Sequence, residues 1–200
     1  MRVLVACEFS GVVRDAFSKR GHYAMSCDLL PPERGPPHHQ GDVLEILHDD
    51  WDLMIAHPPC TYLTIAGAAY KDDPERVQKR RESIIFFKAL QDAPIPRIAI
   101  ENPIPFNDVQ ARVGKYDQYV NPFDFGVPIR KRICLWLKGL PLLKPTNPVE
   151  AKPNKTYIRK TGKKAGQPYF TYYHQGKTAH ERSRFFPCVA EAMAEQWGTT

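Results

Sequence analysis

Residues 2–28 read RVLVACEFSGVVRDAFSKRGHYAMSCD, and this stretch decides the fold class. Arg2 to Ala6 is a short, apolar, β-branched run. Glu8-Phe9-Ser10-Gly11 follows as a loop, and Val12, Val13, Ala16 and Phe17 then recur at helical spacing as far as Gly21. This is strand, turn, helix. His22 to Cys27 reads as a second strand ending at Asp28, after which Pro31, Pro32, Pro36 and Pro37 enforce an extended loop. Further out, Gly41-Asp42 and a short helical stretch lead to a third strand, Leu53 to Ala56. Asp73-Pro74-Glu75 supplies an N-cap, a first-turn proline and a first-turn acid for a helix running to about Leu90. Arg97 to Ile100 and Ile133 to Leu137 read as two more buried strands. Strands alternating with helices predict an α/β fold with an open, doubly wound, largely parallel sheet.

The 200 residues suit one domain with an appended segment, divided here into a core over 1–140, a tail over 141–184 and a closing helix over 185–200. No apolar run is long enough for a membrane helix, and the apolar start stops at Glu8, too soon for a signal peptide. A cytoplasmic protein is expected. Five cysteines with no CxxC spacing fit neither a disulfide framework nor a zinc ribbon, so free thiols and no metal site are expected. The net charge is +6, but Lys138 to Arg184 carries eleven Lys or Arg against Glu150 and Glu181, a local +9 on a body of −3. Such a segment is either a polyanion-binding surface or a solvated loop. Its prolines, lysines and aromatic residues lack helical period, so it reads as a loop or small antiparallel insert. From Pro187 a last helix places Val189, Ala190, Met193, Ala194 and Trp197 on one face.

Ligands of a doubly wound sheet bind outside the carboxyl ends of its strands, which singles out the residues just after each strand. After the first stand Glu8, Phe9, Ser10 and Gly11. After the second stands Asp28, twenty residues beyond Glu8, a spacing that suits an acid accepting from ribose hydroxyls. The alternative is a pair of ordinary loop carboxylates. After the third comes His57-Pro58-Pro59-Cys60. A thiol presented by a Pro-Pro turn on a ligand-binding edge points to a nucleophile, whereas Cys7, Cys27, Cys134 and Cys188 lie within or beside apolar runs and read as structural. After the next strand comes Glu101-Asn102. A lone Glu there is more often a cap or an ion-pair partner, but with Cys60 it places a nucleophile and an acid on one rim.

A thiolate and a protonated carboxyl together solve one particular problem. Cytosine C5 is a poor nucleophile until a thiolate adds at C6 while N3 is protonated or hydrogen-bonded, which turns C5 into an enamine carbon able to attack an electrophilic methyl. These residues resemble, in order along most of the chain, the motifs of the DNA cytosine-C5 methyltransferase family, in the small form common in bacteriophage genomes. Glu8 to Gly11 and Asp28 stand where the cofactor motifs would be, and Gly41-Asp42 resembles the next. Pro59-Cys60 resembles the nucleophile's Pro-Cys, Glu101-Asn102 the Glu-Asn motif, and Arg130-Lys131-Arg132 after Val127-Pro128 the arginine motif. Pro187 to Ala194 resembles the closing helix that returns to the cofactor pocket.

The resemblance implies a Rossmann-like fold and S-adenosylmethionine as donor, held by Glu8, Phe9, Ser10, Gly11, Asp28, Asp42 and Pro58. It implies DNA as substrate, with Cys60, Glu101, Arg130 and Arg132 catalytic. A basic tail stands in place of a large target-recognition domain. There Lys155, Arg159, Lys160, Lys163 and Lys164 are expected on phosphates, and Tyr157, Tyr172 and Tyr173 beside an extruded base. No membrane and no obligate protein partner are expected. Other readings stay open. They are C5 modification by another donor or of a free nucleotide, and a non-catalytic DNA-binding relative. His57-Pro58-Pro59 also resembles the Asn-Pro-Pro-Tyr turn of amino-methyltransferases, but lacks the amide and the aromatic that chemistry needs. A Cys-His hydrolase using His57 is disfavoured because the Pro-Pro pair holds the two side chains apart.

Overall fold

Val3 and Val5 pack on one face of a sheet and Leu4 and Ala6 on the other, all fully buried. That two-sided burial is why the run is apolar throughout instead of alternating. The computed structural model describes residues 1–64, 73–153, 155–171 and 178–199. In chain order these form β1 (Arg2–Ala6), α1 (Val12–Ser18), β2 (Tyr23–Asp28), β3 (His38–Gln40), β4 (Leu53–Ala56), α2 (Pro74–Gln91), β5 (Arg97–Asn102) and α3 (Asn107–Val113). They continue with β6 (Gln118–Val120), β7 (Ile133–Lys138), β8 (Lys155–Ile158), β9 (Pro168–Thr171), α4 (Ala179–Ser183) and α5 (Pro187–Trp197). The sheet order is β3-β2-β1-β4-β5-β7-β6. The first five of these strands run parallel, and β7 lies antiparallel between β5 and β6. This is the expected Rossmann-like, doubly wound, largely parallel α/β fold.

Each face has its own core. On one, Val13 and Phe17 of α1 and Val189, Met193 and Trp197 of α5 cover Val3, Val5, Leu53 and Ile55. On the other, Ile84, Phe87 and Leu90 of α2 cover Leu4, Met54, Ile98 and Ile100. Asp73 caps α2 by accepting from the Arg76 N–H at 3.0 Å, as the Asp-Pro-Glu start predicts. The expected closing helix forms, and its five named apolar residues are all buried.

Several elements go beyond the sequence reading. The edge strands β3 and β6 have three residues each, and α3 and α4 have seven and five. Between β7 and α5, a separate two-stranded antiparallel sheet, β8–β9, forms the small insert. The proline loop before β3 is pinned by an unexpected device. Arg14 is 2% exposed, and its guanidinium donates to Ser26 Oγ and to the carbonyls of Arg34, Gly35 and Pro37. Gly11 makes room for it. Its φ is +69°, and a Cβ there would lie 2.6 Å from Arg14 Nη2.

Candidate active site

The parallel register of β1, β4 and β5 brings three chain segments to one rim. Ala6 pairs with Ala56, and Ala56 pairs with Ile100. The residues that follow are therefore neighbours, and the His57 N–H donates back to the Ala6 carbonyl at 2.9 Å. His57 Nδ1 lies 3.2 Å from Glu101 Oε2, with both side chains largely buried. Asn102 Nδ2 donates to the Pro58 carbonyl at 2.8 Å, tying the end of β5 to the Pro-Pro turn. The turn closes on itself through Leu63 N–H and Thr64 Oγ1, which both donate to the Cys60 carbonyl. Cys60 is thus held on a short, doubly anchored loop and is exposed.

Exposure separates Cys60 from the other thiols, since Cys27 and Cys134 are buried and Cys7 and Cys188 half-buried. Burial pushes Cys27 up to about 12 and Cys134 up to about 11, and it raises Cys7 and Cys188 as well. Cys60 is also raised, by desolvation at its sulfur and then by the Glu101 carboxylate, but Lys131 pulls it down. Proximity of Cys60 to Glu101 was readable from strand pairing. The part of Lys131 was not, because the basic triplet alternates in direction. Arg132 lies over the Tyr119 ring at 4.6 Å and Arg130 over Phe123 at 5.7 Å, while Lys131 lies over Phe186 at 5.2 Å. Arg130 and Arg132 line an open groove of about 680 Å³ along β6, with Tyr119, Asn121, Phe123 and Ile104.

On the other side of the Pro-Pro turn, Asp28, Asp42, Leu29, Val43, Pro59 and Phe86 line a largely apolar cavity of about 300 Å³. Asp28 and Asp42 each spend Oδ1 on a local turn, accepting from Leu30 N–H and Leu44 N–H. Their second oxygens are the ones a ligand could engage. Phe86, on α2, carried no sequence signal beyond helix periodicity.

Glu8, Phe9, Ser10, Gly11 and Pro58, also expected at the cofactor, do not line this cavity. Glu8 is 4% exposed and caps α1, accepting from Val13 N–H at 2.7 Å, from Arg14 N–H at 3.2 Å and from Ser10 Oγ. Burial raises its carboxyl above the ordinary range despite these donors and the nearby His57. With Phe9, Ser10 and His57 it lines a second, much smaller cavity. Gly11 packs on Arg14, and Pro58 is buried in the turn.

In the tail, Tyr157 of β8 stacks on Tyr169 of β9 at 5.3 Å, and Arg159 lies over Tyr169 at 4.9 Å. Lys155, Lys160, Lys163 and Lys164 are exposed on the same hairpin. Tyr172 and Tyr173 lie outside the described residues. Beyond them, Arg184 makes a two-toothed ion pair with Glu33 of the proline loop, and His180 joins at 2.9 Å while its ring packs 4.4 Å from Phe9. Residues 178–184 are in this way fastened to the proline loop after β2 and to Phe9 after β1.

No family model and no curated protein matches the chain. Among solved structures it is similar to a chain described as a DNA modification methyltransferase encoded within an E. coli prophage. The identity is 15%, the TM-score 0.48, and the match covers 80% of this chain and 56% of that one. It is also similar to the Entamoeba histolytica methyltransferase EhMeth, at 14% identity and TM-score 0.45, covering 78% and 58%. A third is WbdD in complex with a kinase inhibitor, at 11% identity and TM-score 0.39, covering 90% and 46%. The chain therefore spans a little over half the length of the first two. The sheet order described above is a Rossmann-like, doubly wound topology.

Proposed function

We propose that this chain transfers a methyl group from S-adenosylmethionine to C5 of cytosine in DNA through a transient bond between Cys60 and C6. One observation carries the reading. An exposed thiol on an anchored turn shares a rim with a carboxyl, Glu101, and with a cation, Lys131, beside a cavity lined by Asp28 and Asp42. The cavity fits the nucleoside part of the donor, being at the lower end of ligand-pocket sizes, apolar-walled and edged by carboxylates for ribose hydroxyls. Asp28 and Asp42 would hold it there. Bound, the donor supplies an electrophilic methyl.

The residues of the chain do the rest. The Cys60 thiolate adds to C6, electrons of the C5–C6 double bond move toward N3, and Glu101 supplies a proton or hydrogen bond at N3. C5 then carries the nucleophilic electron pair. After methylation the N3 proton returns to Glu101, the C5 proton is lost to base, and the C6–S bond breaks to return the thiolate and restore the ring. The groove of Arg130, Arg132 and Tyr119 suits the strand beside the reacting base, with arginines for phosphate or pyrimidine carbonyl and a ring for stacking. The basic hairpin, Lys155 with Tyr157, Arg159, Lys160, Lys163 and Lys164, would supply the DNA-contacting part of residues 141–184.

The test is a trap. Incubated with the donor and DNA carrying 5-fluorocytosine, the protein should form an adduct that survives denaturation, because fluorine at C5 cannot leave as a proton. Cys60→Ser should abolish it with fold and DNA binding retained. An adduct that persists in Cys60→Ser, or methylation of ordinary DNA by Cys60→Ala, would overturn the mechanism. Modification of free cytidine nucleotides but not DNA would overturn the substrate.

A further inference from the structure

Among the described residues no hydrogen bond joins His57 to Cys60, yet His57 occupies a constrained place in the site. Its backbone is tied to β1, and its ring lies 4.7 Å from the Phe185 ring. Its Nδ1 meets Glu101 Oε2 at 3.2 Å. Its Nε2 is buried with no hydrogen-bond partner among the described residues and borders the small cavity shared with Glu8 and Ser10. That cavity, about 10 Å³, is about the size of one water and has polar atoms of Glu8, Ser10 and His57 around it. The imidazole therefore stands between a carboxyl on the reaction rim and a polar, water-sized space behind it.

Resting on the methyl-transfer reading above, we propose that His57 is a positioning residue, which holds its hydrogen on Nδ1 against Glu101 Oε2 and so directs Oε1 of Glu101, with its proton, at the pyrimidine N3.

A carboxylic acid has one hydrogen and two oxygens, and it can offer that hydrogen to a base from either oxygen. A fixed N–H donor on Oε2 removes the ambiguity, since an oxygen that accepts from Nδ1–H leaves the acidic hydrogen to the other one. The partner of one ring nitrogen also sets the tautomer of the other. With hydrogen on Nδ1, Nε2 presents a lone pair to the small cavity, where a water can donate to it. Asn102 performs the matching task for the nucleophile, since its amide holds the Pro58 carbonyl and with it the turn that carries Cys60. Two adjacent side chains at the end of β5 are thus each fixed relative to the turn after β4, one through a ring and one through an amide.

The test uses the full chain and the rate of adduct formation on 5-fluorocytosine DNA, with kcat and KM on ordinary DNA. His57→Phe keeps the ring against Phe185 and removes the donor. It should slow trapping and kcat roughly 10- to 100-fold, the scale of losing an orienting partner, with KM for DNA changed less than about twofold. His57→Asn, whose amide can donate from near the Nδ1 position, should recover most of that loss. In a Glu101→Gln background, His57→Phe should add little, because both changes act on one group. Nitrogen NMR of the wild-type imidazole should show hydrogen on Nδ1. Hydrogen on Nε2 instead, a full-rate His57→Phe, or additive losses in the double variant would each overturn the inference. A wild type that forms no adduct overturns the methyl-transfer reading itself, while the tautomer still reports on His57.

Discussion

Two charges of opposite sign act on the Cys60 thiol, and they can be separated by chemistry other than methyl transfer. Desolvation and the Glu101 carboxylate raise it, and Lys131 lowers it. Glu101→Gln should therefore speed alkylation of Cys60 by iodoacetamide at neutral pH while it slows methyl transfer. Lys131→Met should slow both. The measurement is the pH profile of alkylation by mass spectrometry, expected to move to lower pH in the first variant and higher in the second. Equal profiles would show that neither charge reaches the sulfur. Cys60 and Glu101 were legible in the sequence because each stands soon after an apolar run, Leu53 to Ala56 or Ile98 to Ile100, and position at the end of such a run survives any detail of packing. His57 was visible for the same reason but had no partner to give it a role until strand register set its ring beside Glu101. Lys131 lay hidden between two arginines, because only the direction of each side chain tells which of the three faces the thiol. Glu8 shows the opposite limit. Its place after β1 is that of a ligand-binding acid, yet its oxygens meet the first amides of α1.

At the scale of elements, α1 begins with no side-chain cap on Gly11, and Glu8 satisfies two of its free N–H groups from inside the fold. Glu8→Ala leaves those amides buried and unpaired, and should cost about 1–3 kcal/mol in urea unfolding. The wild-type carboxyl is raised by burial, so its contribution runs against pH. Stability from this group is full below the ordinary carboxylate range and declines as pH rises through the folded value. Glu8→Gln should flatten that slope.

The Glu33 link between the proline loop and α4 has the reverse sign. Hydrogen bonds from Arg184, and then from His180, hold the Glu33 carboxyl below its usual value. Its tie is present above the ordinary carboxylate range and lost as pH falls through that lowered value. Amide protection of residues 178–184 should accordingly drop on acidification, and Glu33→Ala should show the low protection already at neutral pH. α4 escaped sequence reading because it is only five residues long and is held by this ionic tie and its Thr178–Glu181 capping box. β3 and β6 escaped because a three-residue edge strand takes its identity from the neighbour it pairs with.

Across the whole molecule, charge is unevenly distributed between the sheet that carries Cys60 and Glu101 and a hairpin that carries lysines. If the hairpin contacts phosphates, replacing Lys160, Lys163 and Lys164 together by Gln should weaken DNA binding about equally for all sequences. It should also reduce the slope of log affinity against log salt by roughly 0.9 for each phosphate no longer neutralised, or roughly 2.7 for three. Unchanged affinity would leave the hairpin a solvated excursion. The fold class was legible because β1, β2, β4 and β5 obey local rules of apolar run, turn and helix. The antiparallel β7 was legible as a strand and not as to direction, since direction depends on how the chain returns, through α3 and β6.

The base of that hairpin is closed, for Lys155 and Thr171 are paired partners, so their Cα atoms are about 5 Å apart. The segment 156–170 can therefore be exchanged for another sequence, or replaced by a two-residue turn, without moving the points where the chain departs from and rejoins its surroundings. In evolutionary terms the hairpin is an interchangeable cassette. Its sequence is free to vary among related chains while the rim bearing Cys60 and Glu101 stays under separate constraint, and a designer can graft a different loop there without touching that rim.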